Sequence, residues 1–301
     1  MIMAEYTLLE QALKDNCELT EKALAEFFDN KNESGCLGII MSAEKYSLLG
    51  GGKRIRAFLV NEVARMLGGD ISASMPFAAA VEMVHAYSLI HDDLPCMDDD
   101  DFRRGKPSNH KVYGEAYALL AGDALLTNAF LALTKANLPS HVLANAVTAL
   151  ANAAGDEGMI GGQVTDLEGE GRELSFDQLL TLHSLKTGKM IEVSAYLGCL
   201  AAGKAADDEE TLRICAYARA IGVVFQAIDD LLDVIGDQSI VGKTLASDKE
   251  NNKTTFLSFF DVEGVKDYAT RLTQDAVGEI ETMENSDTLV QLAWYLLSRN
   301  K

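Results

Sequence analysis

PFAAAVEMVHAYSLIHDD, residues 76–93, is written with the period of a helix and ends in paired acids. Side chains three, four and seven positions apart share a helix face. That rule puts His85, Ser88 and Asp92 on one stripe, with Phe77, Val81, Val84, Leu89 and Ile90 as apolar surface around it. The chain then runs through LPCM to Asp98. Residues 223–233, VVFQAIDDLLD, repeat the arrangement: Gln226, Asp229, Asp230 and Asp233 form a polar stripe among valines, leucines, Phe225 and Ile228. Two such stripes facing each other would line a cavity.

An unpaired buried carboxylate costs several kcal/mol, so Asp92, Asp93, Asp98, Asp229, Asp230 and Asp233 at the ends of apolar runs call for cations. Hard oxygen ligands of this kind suit Mg²⁺, which keeps waters and is readily shared with substrate phosphates. Taken alone, residues 98–101 read as a solvated acidic face. Their recurrence in a second apolar setting turns the reading toward a metal. An EF-hand does not fit, since a calcium loop begun at Asp98 would place Phe102 and Arg103 where a ligand and a glycine belong.

With 301 residues, 48% of them hydrophobic, and few linker signals, the chain reads as one domain over residues 1–301. Only four prolines and long stretches rich in Ala, Leu, Glu and Met predict an all-α bundle of roughly ten or more helices. Breaks are expected at residues 30–38, 50–52, 68–70 and 103–109, with a long glycine-rich connection at 155–171 and another at 236–252. A net charge of −20 opposes nucleic acid or an anionic membrane as partner. No uninterrupted apolar run approaches the ~20 residues that span a bilayer. The N-terminus carries Glu5, Glu10 and Asp15 rather than a basic secretory start. Five cysteines without CxxC spacing fit free thiols in a reducing compartment. A soluble cytoplasmic protein is the expectation.

Cations are scarce, so their placement carries information. Gly52-Lys53-Arg54-Ile55-Arg56 follows two further glycines and could present amides and cations to a phosphate, although it lacks the Walker spacing. Each of Lys186, Lys243, Lys253 and His85 has a bland reading by itself: a snorkelling lysine, a core histidine. Their combination with the two acidic stripes favours a functional reading of each.

The segment from His85 to Pro107, HAYSLIHDDLPCMDDDDFRRGKP, resembles the first aspartate-rich motif of short-chain trans-prenyl diphosphate synthases. Gly52–Arg56, Ala121-Gly122-Asp123, Gly161-Gly162-Gln163, Lys186-Thr187-Gly188, Phe225-Gln226 and Asp229-Asp230-Leu231-Leu232-Asp233 follow that family's order over nearly the whole chain. The bacterial farnesyl diphosphate synthase type is the most similar. The pattern departs from it at Ala57, at Phe102 and in residues 243–248, which lack the usual glycine.

The resemblance implies the isoprenoid synthase fold with a deep central cavity, a homodimer, and three Mg²⁺ ions. It implies that Asp92, Asp98 and Asp229, supported by Asp93, Asp230 and Asp233, hold the metal against an allylic diphosphate, dimethylallyl or geranyl. Gly52, Lys53, Arg56, His85 and Arg104 would bind isopentenyl diphosphate. Arg103, Lys186, Thr187, Gln226 and Lys243 would face the allylic substrate, and Lys253 would stand near its diphosphate. Gln163 and Asp166 match family positions without a role. Thr187 and Gly188 interrupt a helix where a kink could aim carbonyls at the carbocation.

Tyr87 lies about 7.5 Å along the helix from Asp92, and in the family an aromatic there stops the product at fifteen carbons. Helical geometry rotates a residue five back by ~140°, so Ser88 lines up better with Asp92. A geranylgeranyl synthase and a noncatalytic regulatory subunit are the rival readings, the second opposed by two intact acidic motifs. The C-terminal Arg299-Asn300-Lys301 is expected to close over the isopentenyl site when substrates bind.

Overall fold

A computed structural model of the chain describes residues 6–29, 31, 34–235 and 253–299, with only the backbone at 234 and 235. Helices follow one another as α1 (Thr7–Glu26), α2 (Cys36–Leu48), α3 (Ile55–Met66), α4 (Ile71–Asp92), α5 (Asn109–Tyr113) and α6 (Glu115–Leu133). Then come α7 (Ser140–Ala154), α8 (Met159–Gly169), α9 (Phe176–His183), α10 (Lys189–Ala201), α11 (Glu209–Ile235), α12 (Val262–Ile280) and α13 (Asp287–Ser298). The all-α expectation holds, apart from a two-residue antiparallel ribbon in which Phe102–Arg103 pairs with Lys106–Pro107.

α4 begins before its apolar run because Asp70 caps it, its carboxylate accepting the Ser72 N–H at 2.9 Å. From Phe77 to Ile90 the helix is buried on nearly all sides, so it belongs inside the bundle rather than on its surface. α3 and α6 pack on α4, while α10 packs on α3, α4 and α11, and α12 covers α11. The two helices that carry the acidic stripes therefore both pack on α10. Buried Glu82 of α4 faces buried Arg54, Oε2 to Nη1, at 3.0 Å. Arg54 also reaches Glu21 and the Leu48 carbonyl. Breaking such a pair by removing one partner typically costs about 3–5 kcal/mol, so Arg54 serves the fold at the head of α3.

The glycine-rich stretch 155–171 is not a connection. Most of it is α8, and its glycines are there for close approach: a Cβ on Gly162 would lie 2.3 Å from the Lys186 amide nitrogen and 2.5 Å from its Cα. Packing against that backbone overrides the low helix propensity of glycine. α6 and residues Glu209–Asp233 of α11 are long and apolar enough to cross a membrane by length and composition alone. In this structure α6 lies on α4, and α11 lies between α10 and α12.

Candidate active site

α4 ends at Asp92, and the residues after it turn back. The Leu94 N–H donates to the His91 carbonyl, Met97 N–H to Leu94, and Asp98 N–H to the Asp92 carbonyl at 2.9 Å. That turn returns Asp98 to the helix end, which is why the second acid sits six residues on. Asp92 Oδ1 accepts from Gln163 Nε2 of α8 at 2.5 Å. Burial, with the nearby Asp98 charge, pushes the Asp92 carboxyl up to about 6 against the pull of Lys186 and Arg103. Asp93 is 3% exposed and takes both Arg103 Nε, at 2.9 Å, and Nη2 on Oδ1. Burial still raises it above the usual carboxylate range. Arg103 also holds Asp100, Nη2 to Oδ2, at 2.9 Å.

Beside these acids stands a second layer. Asp166 Oδ2, one turn along α8 from Gln163, accepts from Lys186 Nζ at 2.7 Å and Lys253 Nζ at 3.0 Å. Burial would raise Asp166, but the two ammonium groups hold it below the usual range. Lys253 is also 3.9 Å from Asp98 Oδ1. Three residues later the Phe256 N–H donates to Asp230 Oδ2 at 2.8 Å. The segment from Lys253 to Phe256 thus touches both acidic motifs, and its span of roughly 10 Å sets the scale of the gap between them.

Asp229 and Asp233 lie one turn apart on α11, with Gln226 half-buried three residues before Asp229. Asp229 Oδ1 is 2.5 Å from Arg299 Nη2, whose guanidinium also donates to the Phe225 carbonyl at 2.8 Å and stacks 3.9 Å above the Phe225 ring. Without substrate, Arg299 lies on the second acidic motif, because that carboxylate and ring give a guanidinium both charge and a face. Asn300 and Lys301 lie outside the described residues, as does Lys243.

Between α9 and α10 the chain forms a π-turn at Ser184–Gly188, where the kink at Thr187 and Gly188 was expected. α8 and α11 clamp it through Gly162 and Gly222, whose absent side chains leave room for Lys186 and for the Gly188 Cα. Thr187 is buried in this turn.

A basic wall adjoins the first motif. The turn Arg104-Gly105 has positive φ at both positions, 52° and 72°, a conformation rare for arginine. It lays the Arg104 guanidinium on Gly52, where a Cβ would come within 3.0 Å of Cζ, and Arg104 Nη1 donates to the Gly51 carbonyl. Burial lowers Arg104 and Arg56, and neighbouring guanidiniums add to it, Arg54 and Arg103 at Arg104 and Arg104 at Arg56, against the pull of Glu82. His85 is held well below the ordinary histidine range by burial and then by Arg56, Arg104, Arg54 and Arg103. Arg56 Nε is buried without a hydrogen-bond partner. Glu82, which Arg56 feels, is already committed to Arg54. Cations crowded around a neutral imidazole with too few carboxylates make an anion site. Lys53 is exposed, with Nζ 5.4 Å from the Tyr295 ring of α13.

Tyr87 is 5% exposed, and its hydroxyl has no hydrogen-bond partner. Burial first and Asp92 second raise it to about 12, so the ring lies within reach of the Asp92 charge. Ser88 Oγ is turned back to the His85 carbonyl at 3.0 Å. Asp99, Asp101 and His110 also place ligand atoms within 4.8 Å of one another, but Asp101 is paired with Lys111 at 2.6 Å.

The polyprenyl synthetase family model matches residues 38–293. Farnesyl diphosphate synthase of Geobacillus stearothermophilus is 44% identical over 262 residues, 86% of each chain. The heterodimeric geranylgeranyl pyrophosphate synthase large subunit 1 of Arabidopsis thaliana is 43% identical over 86% of this chain and 72% of its own. A geranyltransferase from Helicobacter pylori, solved with magnesium and isoprenyl diphosphate, superposes with a TM-score of 0.84 at 31% identity, covering 98% of both chains. A match of this extent, laid over two acidic motifs joined by one short segment and flanked by an anion site, leaves one conclusion: the chain belongs to the polyprenyl synthetase family.

Proposed function

We propose that the protein is a farnesyl diphosphate synthase, condensing isopentenyl diphosphate first with dimethylallyl and then with geranyl diphosphate. The observation that carries the reading is the pairing of two unlike walls, the carboxylates of Asp92, Asp98 and Asp229 beside the Arg56, His85 and Arg104 anion site. Asp92, Asp98 and Asp229 fit Mg²⁺ by their chemistry: hard oxygens, one of them on a carboxyl whose burial makes an adjacent cation welcome. When bound, Mg²⁺, three ions per site, supplies Lewis-acid stabilisation of the leaving diphosphate.

The chain's own groups do the rest. Lys186 and Lys253, aligned by Asp166, add positive charge where the diphosphate departs. The π-turn at Thr187 offers backbone carbonyl dipoles toward the allylic cation as the C–O bond breaks. Arg56 and Arg104 hold isopentenyl diphosphate so that its double bond attacks that cation. Attack joins isopentenyl C4 to the allylic C1 and leaves a tertiary cation at C3; a proton lost from C2 to the released diphosphate closes the new C2=C3 double bond. Water must be excluded throughout.

A geranylgeranyl product is the second reading, favoured by the Arabidopsis relative. Tyr87 at the floor speaks for fifteen carbons. Leu119, Leu120 and Leu131 expose an apolar face of α6 that suits a homodimer. A single-domain, cytoplasmic enzyme is part of the same proposal, and the net charge of −20 suits solubility and opposes nucleic acid or an anionic membrane as partner. Mass spectrometry of products from isopentenyl and dimethylallyl diphosphates tests the proposal. A fifteen-carbon product that disappears on chelation is expected. A twenty-carbon product would replace the farnesyl assignment, and no product with Mg²⁺ would end the enzymatic one.

A further inference from the structure

Tyr87 and His91 lie four residues apart on α4 and so share a face. Their rings meet edge to face, centroids 5.6 Å apart and planes at 78°. His91 Nε2 is 3.0 Å from the Leu119 carbonyl oxygen of α6, an atom that only accepts, which assigns the proton to Nε2. The contact exists because residue 122 is glycine: a Cβ there would lie 2.2 Å from Nε2 and 2.4 Å from Cδ2. Nothing polar fixes the Tyr87 ring in return, since its buried hydroxyl has no partner. Its orientation depends on packing, and His91 is the neighbour that is itself bonded to a rigid backbone.

We propose that His91 is a positioning residue for product length, a prop seated in the Gly122 notch and tied to α6, which holds the Tyr87 ring across the floor of the chain pocket. The inference rests on the reading of Tyr87 as the stop. It also gives the glycine of Ala121-Gly122-Asp123 a physical purpose. In this view the stop is a three-residue device spanning two helices, and removing its support frees the ring without touching it.

Product chain lengths from dimethylallyl diphosphate and excess isopentenyl diphosphate test this for Tyr87→Ala, His91→Ala, Gly122→Ala and the Tyr87→Ala/His91→Ala double variant. We expect the twenty-carbon share to rise about tenfold in His91→Ala and in Gly122→Ala, the scale of one lost ring contact. The double variant should match Tyr87→Ala alone, because His91 acts through the tyrosine. If Tyr87→Ala lengthens the product while His91→Ala and Gly122→Ala only slow the enzyme or lower its melting temperature, the prop is refuted and the stop survives. A fifteen-carbon product from Tyr87→Ala would refute both. Should His91→Ala not fold, His91→Gln keeps a donor for the Leu119 carbonyl without the ring; lengthening is expected, and an unchanged product would overturn the proposal.

Discussion

The acidic wall and the basic wall handle charge in opposite ways. Asp92 has Gln163, Asp93 has Arg103, Asp98 has Lys253 within 3.9 Å, and Asp229 has Arg299. Arg56, His85 and Arg104 crowd together, and Glu82, the acid that acts most on Arg56, is spent on Arg54. Asp93, Asp98 and Asp229 carry protein counter-charges, so a metal ion at those carboxylates must compete with or displace protein cations, whereas Asp92 accepts only from the neutral Gln163 amide and its burial favours an added cation. The bases lack theirs, so an anion enters without displacing anything. On the proposed function, one diphosphate would then bind conditionally and the other directly.

The harshest way to break that asymmetry is to remove an acid. Asp92→Asn or Asp229→Asn should cut turnover by about 10³-fold, the scale of losing a main electrostatic stabiliser, read by steady-state kinetics. At Asp92 the same change should raise the stability of the metal-free protein. The buried carboxyl is pushed up from 3.8 to about 6. Folding therefore favours its protonated form; that contribution is complete below the unfolded value and gone once pH rises past about 6. Above that pH the folded protein carries a disfavoured charge which asparagine lacks, worth up to about 3 kcal/mol at roughly 1.4 kcal/mol per pH unit. Denaturation of the metal-free variant at pH 8 and at pH 4 checks the sign: a gain at 8 and little at 4. For the same reason apparent Mg²⁺ affinity should fall as pH drops through about 6.

On the basic side, Arg104→Gln should raise the KM for isopentenyl diphosphate by about 10- to 100-fold, as expected for one lost charge-assisted hydrogen bond. The KM for the allylic substrate should barely move. Equal changes in both would mean that the walls are not separate. The smallest effect is expected from Arg299→Ala, which frees Asp229 of its guanidinium. Mg²⁺ titration of the variant without substrate should tighten about threefold, the scale of a partly exposed ion pair, and weaker binding would show that Arg299 supports the metal site.

The acidic motifs were legible because spacing on a helix is a local property: Asp92 and Asp229 needed only the three-four-seven rule and the apolar residues around them. The kink at Thr187 was expected from the family resemblance rather than from spacing, and the π-turn at Ser184–Gly188 falls there. α8 was not, because Gly161 and Gly162 signal a loop to any local reading, and only the Lys186 backbone against Gly162 shows why they suit a helix. Arg103 looked like a substrate ligand and is found holding Asp93 and Asp100. Arg54 looked like part of a phosphate site and is buried against Glu82 and Glu21, carboxylates distant in sequence. Arg299 on Asp229 joins residues seventy apart, which no periodicity can reveal. Pairings between distant charges are the part that a sequence leaves unwritten.

The division of labour between the walls is tested most directly by calorimetric titration of isopentenyl diphosphate and of a non-ionisable allylic thiodiphosphate, each with Mg²⁺ and with a chelator. Isopentenyl diphosphate should bind with nearly the same affinity in both conditions, while the allylic analogue should lose at least about tenfold without metal. Equal dependence of the two ligands on Mg²⁺ would contradict the account.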